Sequence, residues 1–173
     1  YIKESLNALN KYHETLSITE YINLDDEKFK LYEQDVVFVL NPGIISSLSD
    51  SKVEEYLYNG GHVVLFPNIE SESSTFSYIN NISSIISYDY ANLNKQSLSG
   101  NSFQEINPES VQINDIEDLF GDVNRKDRNI RMFEYFSLPF HPEFSKIQLN
   151  DGSPIWNRHA IQSGLLDVFG FAV

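Results

Sequence analysis

Two runs of consecutive apolar residues mark the first half of the chain. Residues 36–40 and 62–66 are apolar at nearly every position, a pattern typical of parallel strands that are buried on both faces. Between them, residues 50–59 carry an apolar stripe at helical spacing, formed by Val53, Tyr56 and Leu57. Gly60-Gly61 then ends this helix, because glycine adopts the left-handed conformation found after a helix. The order strand, helix, strand predicts a parallel pair joined by a right-handed crossover.

Weaker patterns continue on both sides of this unit. Helices are predicted at 1–12, 25–31 and 70–88, and strands at 15–22, 130–138, 144–149 and 154–159. Residues 90–110 are rich in Asn, Ser and Gln and are predicted to form a long surface loop. Asp151-Gly152 is a hairpin-type turn, and Ser163-Gly164 leads into a final apolar strand.

The alternating first half and the strand-rich second half predict an α/β domain. A chain of 173 residues has the length of one domain with a proper core, so we assign residues 1–173 to a single domain. We expect a three-layer αβα arrangement, with an open, mostly parallel sheet and helices on both faces. The later strands are expected to extend this sheet in antiparallel fashion.

Composition narrows the possible partners. The chain has 25 acidic against 12 basic residues and a formal net charge of −13, which argues against nucleic acid, because phosphates are bound by Lys and Arg. With 41% apolar and 13% aromatic residues, the chain is expected to be globular rather than disordered. The absence of cysteine excludes disulfides, thiolate zinc sites and thiol nucleophiles.

Both ends of the chain look like the interior of a longer protein. The first residues resemble the middle of a helix, and residues 165–173 form an apolar run. Natural termini are usually polar, so we expect a piece of a longer polypeptide. No apolar run reaches the roughly 18 residues that span a bilayer, so any membrane anchor is expected outside this segment.

Several segments together resemble a known superfamily. They are residues 35–40, Leu48-Ser49 at the start of a helix, Gly60-Gly61, residues 63–67, residues 146–156 and the glycine-led run 163–172. This combination resembles the class I glutamine amidotransferase-like superfamily, and more narrowly the divergent domain of membrane proteins from the bacterial aerotolerance operon, the Bat-type proteins. The resemblance implies a flavodoxin-like fold, a membrane anchor outside this segment, a periplasmic location for the domain, and protein partners in a cell-envelope complex.

The resemblance also implies what the domain has lost. Active members place a cysteine nucleophile at the turn after the strand that corresponds to residues 63–66. Here that turn holds Pro67 and Asn68, and neither side chain is a nucleophile. The loop at Pro42-Gly43 corresponds to the glycine-rich oxyanion loop. We therefore expect a pseudoenzyme without a cofactor, whose residual ligand cleft is formed by Asn41, Pro42, Gly43, Pro67 and Asn68.

Other candidate residues carry weaker chemistry. His141 and Glu143 match no metal motif but form the best acid/base pair in the chain, in the place of the superfamily's late histidine and glutamate. The four histidines lack metal-ligand spacing, so no metal site is expected. His62 is expected to serve as a capping or packing residue. Acidic clusters at Asp25-Asp26 and at residues 115–118 are expected to be solvated surface.

Aromatic residues crowd the region around two prolines, Pro139 and Pro142. They are Phe133, Tyr135, Phe136, Phe140 and Phe144. Core packing is expected for most of them, and a partner-binding patch for the remainder.

The sequence thus favours a non-catalytic interaction or scaffold domain, and two alternatives stay open. One is a hydrolase or a sugar-modifying enzyme of the ThuA-like branch of the superfamily. That branch usually has a histidine after the second strand, where this chain has Pro67. The other alternative is a small-molecule or glycan-binding domain without catalysis.

Overall fold

The structure is a computed structural model, and it describes residues 2–13, 17–20, 29–41, 50–68, 86, 90, 93–107, 109–110 and 130–172. The helices of this part are α1 (Ile2–His13), a 3₁₀-helix (Leu31–Glu33) and α2 (Asp50–Tyr58). Two strands flank α2, namely β1 (Val36–Val39) and β2 (His62–Leu65). Seven strands follow: β3 (Lys95–Ser97), β4 (Gln104–Glu105), β5 (Arg131–Met132), β6 (Glu134–Phe136), β7 (Ser145–Gln148), β8 (Pro154–Ile161) and β9 (Gly164–Phe169).

A five-stranded sheet forms the centre of the fold, with the strand order β1-β2-β9-β8-β7. β1, β2 and β9 are parallel neighbours, whereas β8 runs antiparallel to both β9 and β7. Among the described strands of this sheet, β8 is therefore the one that runs against the others. The parallel pair predicted on either side of the double glycine is confirmed, with Val39 beside Leu65. The chain has an α/β fold with antiparallel strands in its second half.

Two small antiparallel sheets accompany the central sheet. β3 pairs with β6, and β4 pairs with β5. An isolated bridge joins Ile106, after β4, to Leu149, after β7. Tyr135 of β6, Ile147 of β7 and Trp156 of β8 belong to one hydrophobic cluster on this side of the molecule, so a small sheet packs against the central sheet here.

The two faces of the central sheet carry different residues, because side chains alternate along each strand. On one face, which we call the helix face, β2 and β9 pack against α2. The buried residues of this contact are Val53, Tyr56 and Leu57 of α2, Val63 and Leu65 of β2, and Leu166 and Val168 of β9. The stripe predicted for the helix is thus confirmed as its buried side.

The opposite face, which we call the polar face, carries a charged group among apolar residues. The strand register places Asp167 of β9 beside Val64 of β2 and Arg158 of β8. Val36 and Phe38 of β1 lie on the same face and are exposed. The residues of this face are therefore charged or polar at the centre of the sheet, and apolar and exposed to solvent at the β1 edge.

Two different physical constraints require glycine at positions 60 and 61, directly after α2. Gly60 has a φ of 98°, a left-handed conformation that side chains disfavour. At Gly61, a Cβ atom would lie 2.3 Å from the ring of Tyr56. The Tyr56 hydroxyl donates to the Gln34 carbonyl at 2.9 Å and accepts from the His62 N–H at 3.3 Å. This tyrosine thus joins α2 to the starts of β1 and β2.

Predictions for short or weakly patterned segments are less accurate. The strands at 144–149 and 154–159 are confirmed as β7 and β8, and Gly152 has a φ of 86° in the turn between them. The strand predicted at 15–22 is wrong for residues 17–20, which form no strand. In the segment 25–31, the described residues are helical only from Leu31, in a 3₁₀ turn. Such short apolar alternations do not distinguish strand from loop.

Two predictions in the second half are correct only in part, because strand partners, rather than local composition, decide the structure. The single strand at 130–138 is split at Phe133 into β5 and β6, which pair with different strands. The surface loop at 90–110 contains β3 and β4. The helix predicted at 70–88 lies outside the described residues except for Ile86, which is helical, and Asp25-Asp26 and residues 115–118 also lie outside them.

Candidate functional site

Asp167 is a buried carboxylate at the centre of the sheet. The residue is 2% exposed and lies between β2 and β8. It interrupts the strand Gly164–Phe169, whose other residues suit an apolar core. A charge at such a position is costly unless it is paired and hydrogen-bonded. The surrounding side chains must therefore supply its partners.

Three side chains on the two neighbouring strands satisfy this carboxylate. His62 Nε2 on β2 lies 2.7 Å from Asp167 Oδ2. On β8, Trp156 Nε1 donates to Oδ1 at 2.8 Å. Arg158 donates through Nε to Oδ1 at 2.8 Å and through Nη2 to Oδ2 at 2.9 Å, the bidentate geometry that a planar guanidinium favours. We call these four residues the Asp167 cluster.

The electrostatics of the cluster keep Asp167 charged. Burial alone raises the pKa of this carboxyl. Hydrogen bonds from His62, Arg158 and Trp156, together with the charge of Arg158, outweigh burial and leave the pKa below its ordinary value. Asp167 is therefore a hydrogen-bond acceptor at neutral pH, and the donor is the protonated Nε2 atom of the His62 ring.

A row of aromatic rings lies beside the cluster. Phe66 stacks on Phe169 with ring centroids 4.7 Å apart, and Phe169 stacks on Trp156 at 5.1 Å. The guanidinium carbon of Arg158 lies 5.1 Å from the centroid of the Trp156 ring, within range of a cation–π contact. The rings come from β8, from β9 and from the residue that directly follows β2, so packing across these strands holds the indole and the guanidinium against Asp167.

In the His62–Asp167 pair a carboxylate orients an imidazole, as in a catalytic general base. The cluster does not contain a nucleophile that such a base would activate. A carboxylate on one ring nitrogen fixes the imidazole and leaves the other nitrogen for proton transfer. The His62 side chain is 23% exposed. Within the described part of the chain, no hydroxyl is hydrogen-bonded to this ring. His62 also begins β2, at the opposite end of the strand from the loop predicted to form a cleft.

A second polar group lies on the helix face of β8. Tyr90 Oη is 2.6 Å from His159 Nε2, and Asn157 Nδ2 donates to Tyr90 Oη at 3.1 Å and to the Pro139 carbonyl at 2.9 Å. Burial lowers the pKa of His159 to about 4, and the negative charge of Asp167 opposes this only in part. His159 is therefore neutral near pH 7, and the Tyr90 hydroxyl donates a hydrogen bond to its Nε2.

The predicted ligand cleft is described in part. Asn41 follows β1 and is exposed, Pro67 follows β2 and is buried, and Asn68 is half-buried. β1 and β2 are parallel neighbours, so their ends lie side by side. Pro42 and Gly43 lie outside the described residues. The segment after β2 thus contains the buried pyrrolidine ring of Pro67 and the side-chain amide of Asn68, and neither group is nucleophilic.

His141 and Glu143 lie in the turn before β7, at the far edge of the sheet. The Glu143 backbone N–H donates to His141 Nδ1 at 3.3 Å, and the His141 ring stacks on Phe144 at 4.9 Å. β8 and β9 separate β7 from β2, and three strand spacings amount to about 14 Å. The structure therefore does not bring this acid/base pair to the loops after β1 and β2.

The aromatic residues near the two prolines divide into core and surface. Tyr135, Phe136 and Phe144 are buried, whereas Phe133 is 49% exposed and Phe140 is 59% exposed. Core packing is confirmed for the first three. The rings of Phe133, between β5 and β6, and of Phe140, before β7, are therefore in contact with solvent.

Sequence reasoning missed the Asp167 cluster and the Tyr90–His159 pair. His62, for which the sequence predicts capping or packing, is instead a partner of a buried carboxylate. One signal was present: Asp167 stands inside an apolar strand, and a buried acid requires basic partners on adjacent strands. Which strands are adjacent depends on the sheet order, and the sequence pattern does not supply that order.

No group of three or more His, Cys, Asp or Glu side chains that could hold a metal ion occurs among the described residues. Among the same residues, no helix has the length and apolar character needed to cross a membrane.

Fold and site together define a mixed α/β domain with a buried Asp–His–Arg–Trp cluster. No family model matches the chain, and no curated protein matches it. The structure is similar to that of the cytoplasmic protein STM1381 from Salmonella typhimurium LT2, with a TM-score of 0.55 and 11% sequence identity. The similarity covers 80% of this chain and 60% of that protein. At this identity the similarity concerns the fold alone.

Proposed function

We propose that this chain is a non-catalytic interaction or scaffold domain with a glutamine amidotransferase-like, three-layer, flavodoxin-type fold. Its setting would be the periplasmic side of a cell-envelope membrane protein whose anchor lies in other segments. The observation that carries the proposal is the turn after β2, where Pro67 is buried and Asn68 follows. An active enzyme of this class needs a thiol at that turn, and the chain contains no cysteine.

The Asp167 cluster supports a structural role for the polar centre of the sheet. Both carboxylate oxygens already accept hydrogen bonds from side chains of the protein. Partners that bind each other on neighbouring strands fix the strand register. A buried ionic network of this kind serves specificity of folding in some proteins. The cluster is therefore better suited to holding β2, β9 and β8 together than to binding a substrate.

Exposed apolar side chains support a role in binding. Phe133 and Phe140 are about half exposed, and so are Val36, Phe38 and Leu40 at the β1 edge. Exposed apolar groups that lie together mark sites of contact with other proteins. The net charge of −13 disfavours nucleic acid as the partner. Protein partners in an envelope complex are consistent with both features.

An activity assay tests the non-catalytic part of the proposal. The purified chain is incubated with glutamine, nitrophenyl esters and nitrophenyl glycosides, and product release is compared with that of His141→Ala. We expect equal rates at the level of buffer alone. A rate that His141→Ala lowers by about tenfold or more would favour the hydrolase or ThuA-like alternative. A rise in unfolding temperature with a panel of sugars would favour the glycan-binding alternative.

Photo-crosslinking in the full-length protein tests the binding part. A photoreactive amino acid replaces Phe133 or Phe140, and exposed Ser99 provides the matched control position. We expect a discrete protein adduct from the two aromatic positions and none from position 99. Adducts of equal yield at all three positions would contradict a specific interface. Apolar flanking segments of about 20 residues in the full gene product are the expected sign of the membrane anchor.

A further inference from the structure

β1 is the terminal strand of the central sheet as far as the described residues extend. Its hydrogen bonds to β2 define which backbone groups point inward. The His62 N–H donates to the Asp35 carbonyl at 3.3 Å, and the Phe66 N–H donates to the Val39 carbonyl at 3.0 Å. Because the backbone groups of successive residues point to opposite edges of a strand, residues 35, 37 and 39 face β2.

Val36, Phe38 and Leu40 consequently direct their N–H and C=O groups toward the outer edge. No described residue makes a hydrogen bond to these backbone groups. The side chains of the same three residues are 43%, 40% and 51% exposed. Within the described part of the chain, β1 thus combines a row of unbonded backbone donors and acceptors with exposed apolar side chains.

The usual protections of an edge strand are missing from β1. Proteins normally place a lysine, a proline or a bulge in such a strand to prevent pairing with another chain. Val36–Val39 contains four apolar residues and neither lysine nor proline, and its register with β2 is regular. Valine and phenylalanine also have high strand propensity. The strand is therefore suited to accept a further strand.

We propose that β1 is a docking edge, which an extended segment of a partner protein joins as an additional strand. This inference rests on the proposed function, because a domain that acts by binding requires such a surface. The partner segment alternates apolar and polar residues, and its apolar side chains lie beside Val36 and Phe38 on the polar face. Its backbone pairs with the outward groups of β1.

Charge selects a basic segment of another protein over a second copy of this chain. Glu33 and Asp35 directly precede β1, and a 2.9 Å hydrogen bond between Tyr32 and Glu55 brings a third carboxylate to this end of the sheet. Lys30, a cation close to this group, is paired with Glu33. Two copies of the chain, each with a net charge of −13, repel each other, whereas lysines in a partner strand complement the acidic flank.

Hydrogen exchange with a synthetic peptide tests the proposal. The probe is a seven-residue peptide in which valine alternates with lysine, and the control peptide has N-methyl groups at alternate backbone nitrogens. At a peptide concentration of roughly 1 mM, we expect exchange of the Val36, Phe38 and Leu40 amides to slow by about tenfold or more. The amides of Val37 and Val39, already bonded to β2, should change little. The N-methylated peptide should give no protection.

Two variants separate the backbone contact from the side-chain contact. Phe38→Ala removes the ring and keeps the outward N–H, whereas Phe38→Pro removes both and leaves the bonds to β2 intact. An edge strand tolerates proline where its N–H faces solvent, and thermal unfolding checks that both variants are folded. We expect the peptide to bind Phe38→Pro at least about tenfold more weakly than Phe38→Ala.

The result that overturns the docking edge is distinct from failure of the proposed function. Equal peptide binding by the two variants, or no slowing of exchange at the outward amides, contradicts strand addition. Concentration-dependent protection of the same amides without peptide shows that a second copy is the occupant and also contradicts it. In each case the adducts from Phe133 and Phe140 would still support a binding domain, while substrate turnover would contradict that proposal whatever β1 does.

Discussion

Asp167 on β9 lies 2.7 Å from His62 on β2, across the junction of two parallel strands in the middle of the sheet. The same carboxylate binds Arg158 on the antiparallel neighbour β8. One buried charge therefore ties the parallel half of the sheet to its antiparallel half. Because chain segments far apart in sequence meet here, the contact is part of what fixes the strand order.

Replacement of Asp167 by asparagine should be strongly destabilising. The variant keeps the size of the side chain but leaves the partly buried Arg158 without a counter-charge and His62 without its carboxylate acceptor. We expect the free energy of unfolding to fall by roughly 3–5 kcal/mol, as for other buried pairs from which one partner is removed. Urea unfolding of both proteins at pH 7 measures the loss.

The matched control is Asp151→Asn. Asp151 is exposed in the β7–β8 turn, where it accepts a 2.7 Å hydrogen bond from the Tyr135 hydroxyl. A change at this exposed position should cost less than about 1 kcal/mol. Equal losses at positions 151 and 167 would contradict the central role of the Asp167 cluster.

Acid should destabilise the protein through His159. Burial lowers the pKa of this histidine to about 4, whereas an unfolded histidine titrates near pH 6.5. Between these values the unfolded chain binds a proton that the folded chain does not, so stability falls as the pH decreases from about 6.5 to 4. The full effect is roughly 3 kcal/mol. Urea unfolding at a series of pH values measures the slope.

His159→Gln isolates this contribution, because glutamine does not titrate in that range. We expect the variant to be less stable than the natural protein at pH 7 and to show a flatter dependence on pH between 6.5 and 4. Asp167 is present in both proteins, and its contribution is lost mainly as the pH falls below the ordinary carboxyl pKa of about 4, because its own pKa is lowered, so it cancels in the comparison. An unchanged slope in the variant would contradict the assignment.

Gly61→Ala should be far more damaging than alanine at an open glycine. Its Cβ atom would lie 2.3 Å from the Tyr56 ring. The ring is held in place because its hydroxyl donates one hydrogen bond and accepts another. Overpacking of this kind costs about 1–3 kcal/mol or more. Gly100, which has a φ of 72° and open space around it, provides the control, with an expected cost of about 1 kcal/mol from its left-handed backbone.

A double variant shows whether the ring is the cause. In a Tyr56→Ala background the new Cβ atom at position 61 no longer meets the ring, so Gly61→Ala should cost less than it does alone. Thermal unfolding of the two single variants and the double variant gives this comparison. Strictly additive losses would show that backbone geometry, and not the Tyr56 ring, requires glycine at position 61.

The sequence was sufficient where a local pattern has a local cause. The apolar stripe of α2, the double glycine after it and the continuous run of β2 each follow from helix geometry, backbone conformation or burial. β3 and β4 were not predictable in this way, since their polar residues form strands only because β6 and β5 are available as partners. The Asp167 cluster depends on the same non-local information, namely the order of the strands.

The exposure of aromatic side chains also depends on packing that local composition does not determine. Phe136 and Phe140 stand four positions apart in one aromatic, proline-containing segment, yet Phe136 is fully buried and Phe140 is 59% exposed. Phe136→Ala should therefore cost about 3–5 kcal/mol through lost burial and the cavity left behind. Phe140→Ala should change the free energy of unfolding by no more than about 0.5 kcal/mol. Urea unfolding of the two variants checks both values, with the same dependence of the free energy of unfolding on urea concentration assumed for each. Because the substitution is the same in each case, similar losses would contradict the burial of Phe136 in β6 and the exposure of Phe140 before β7.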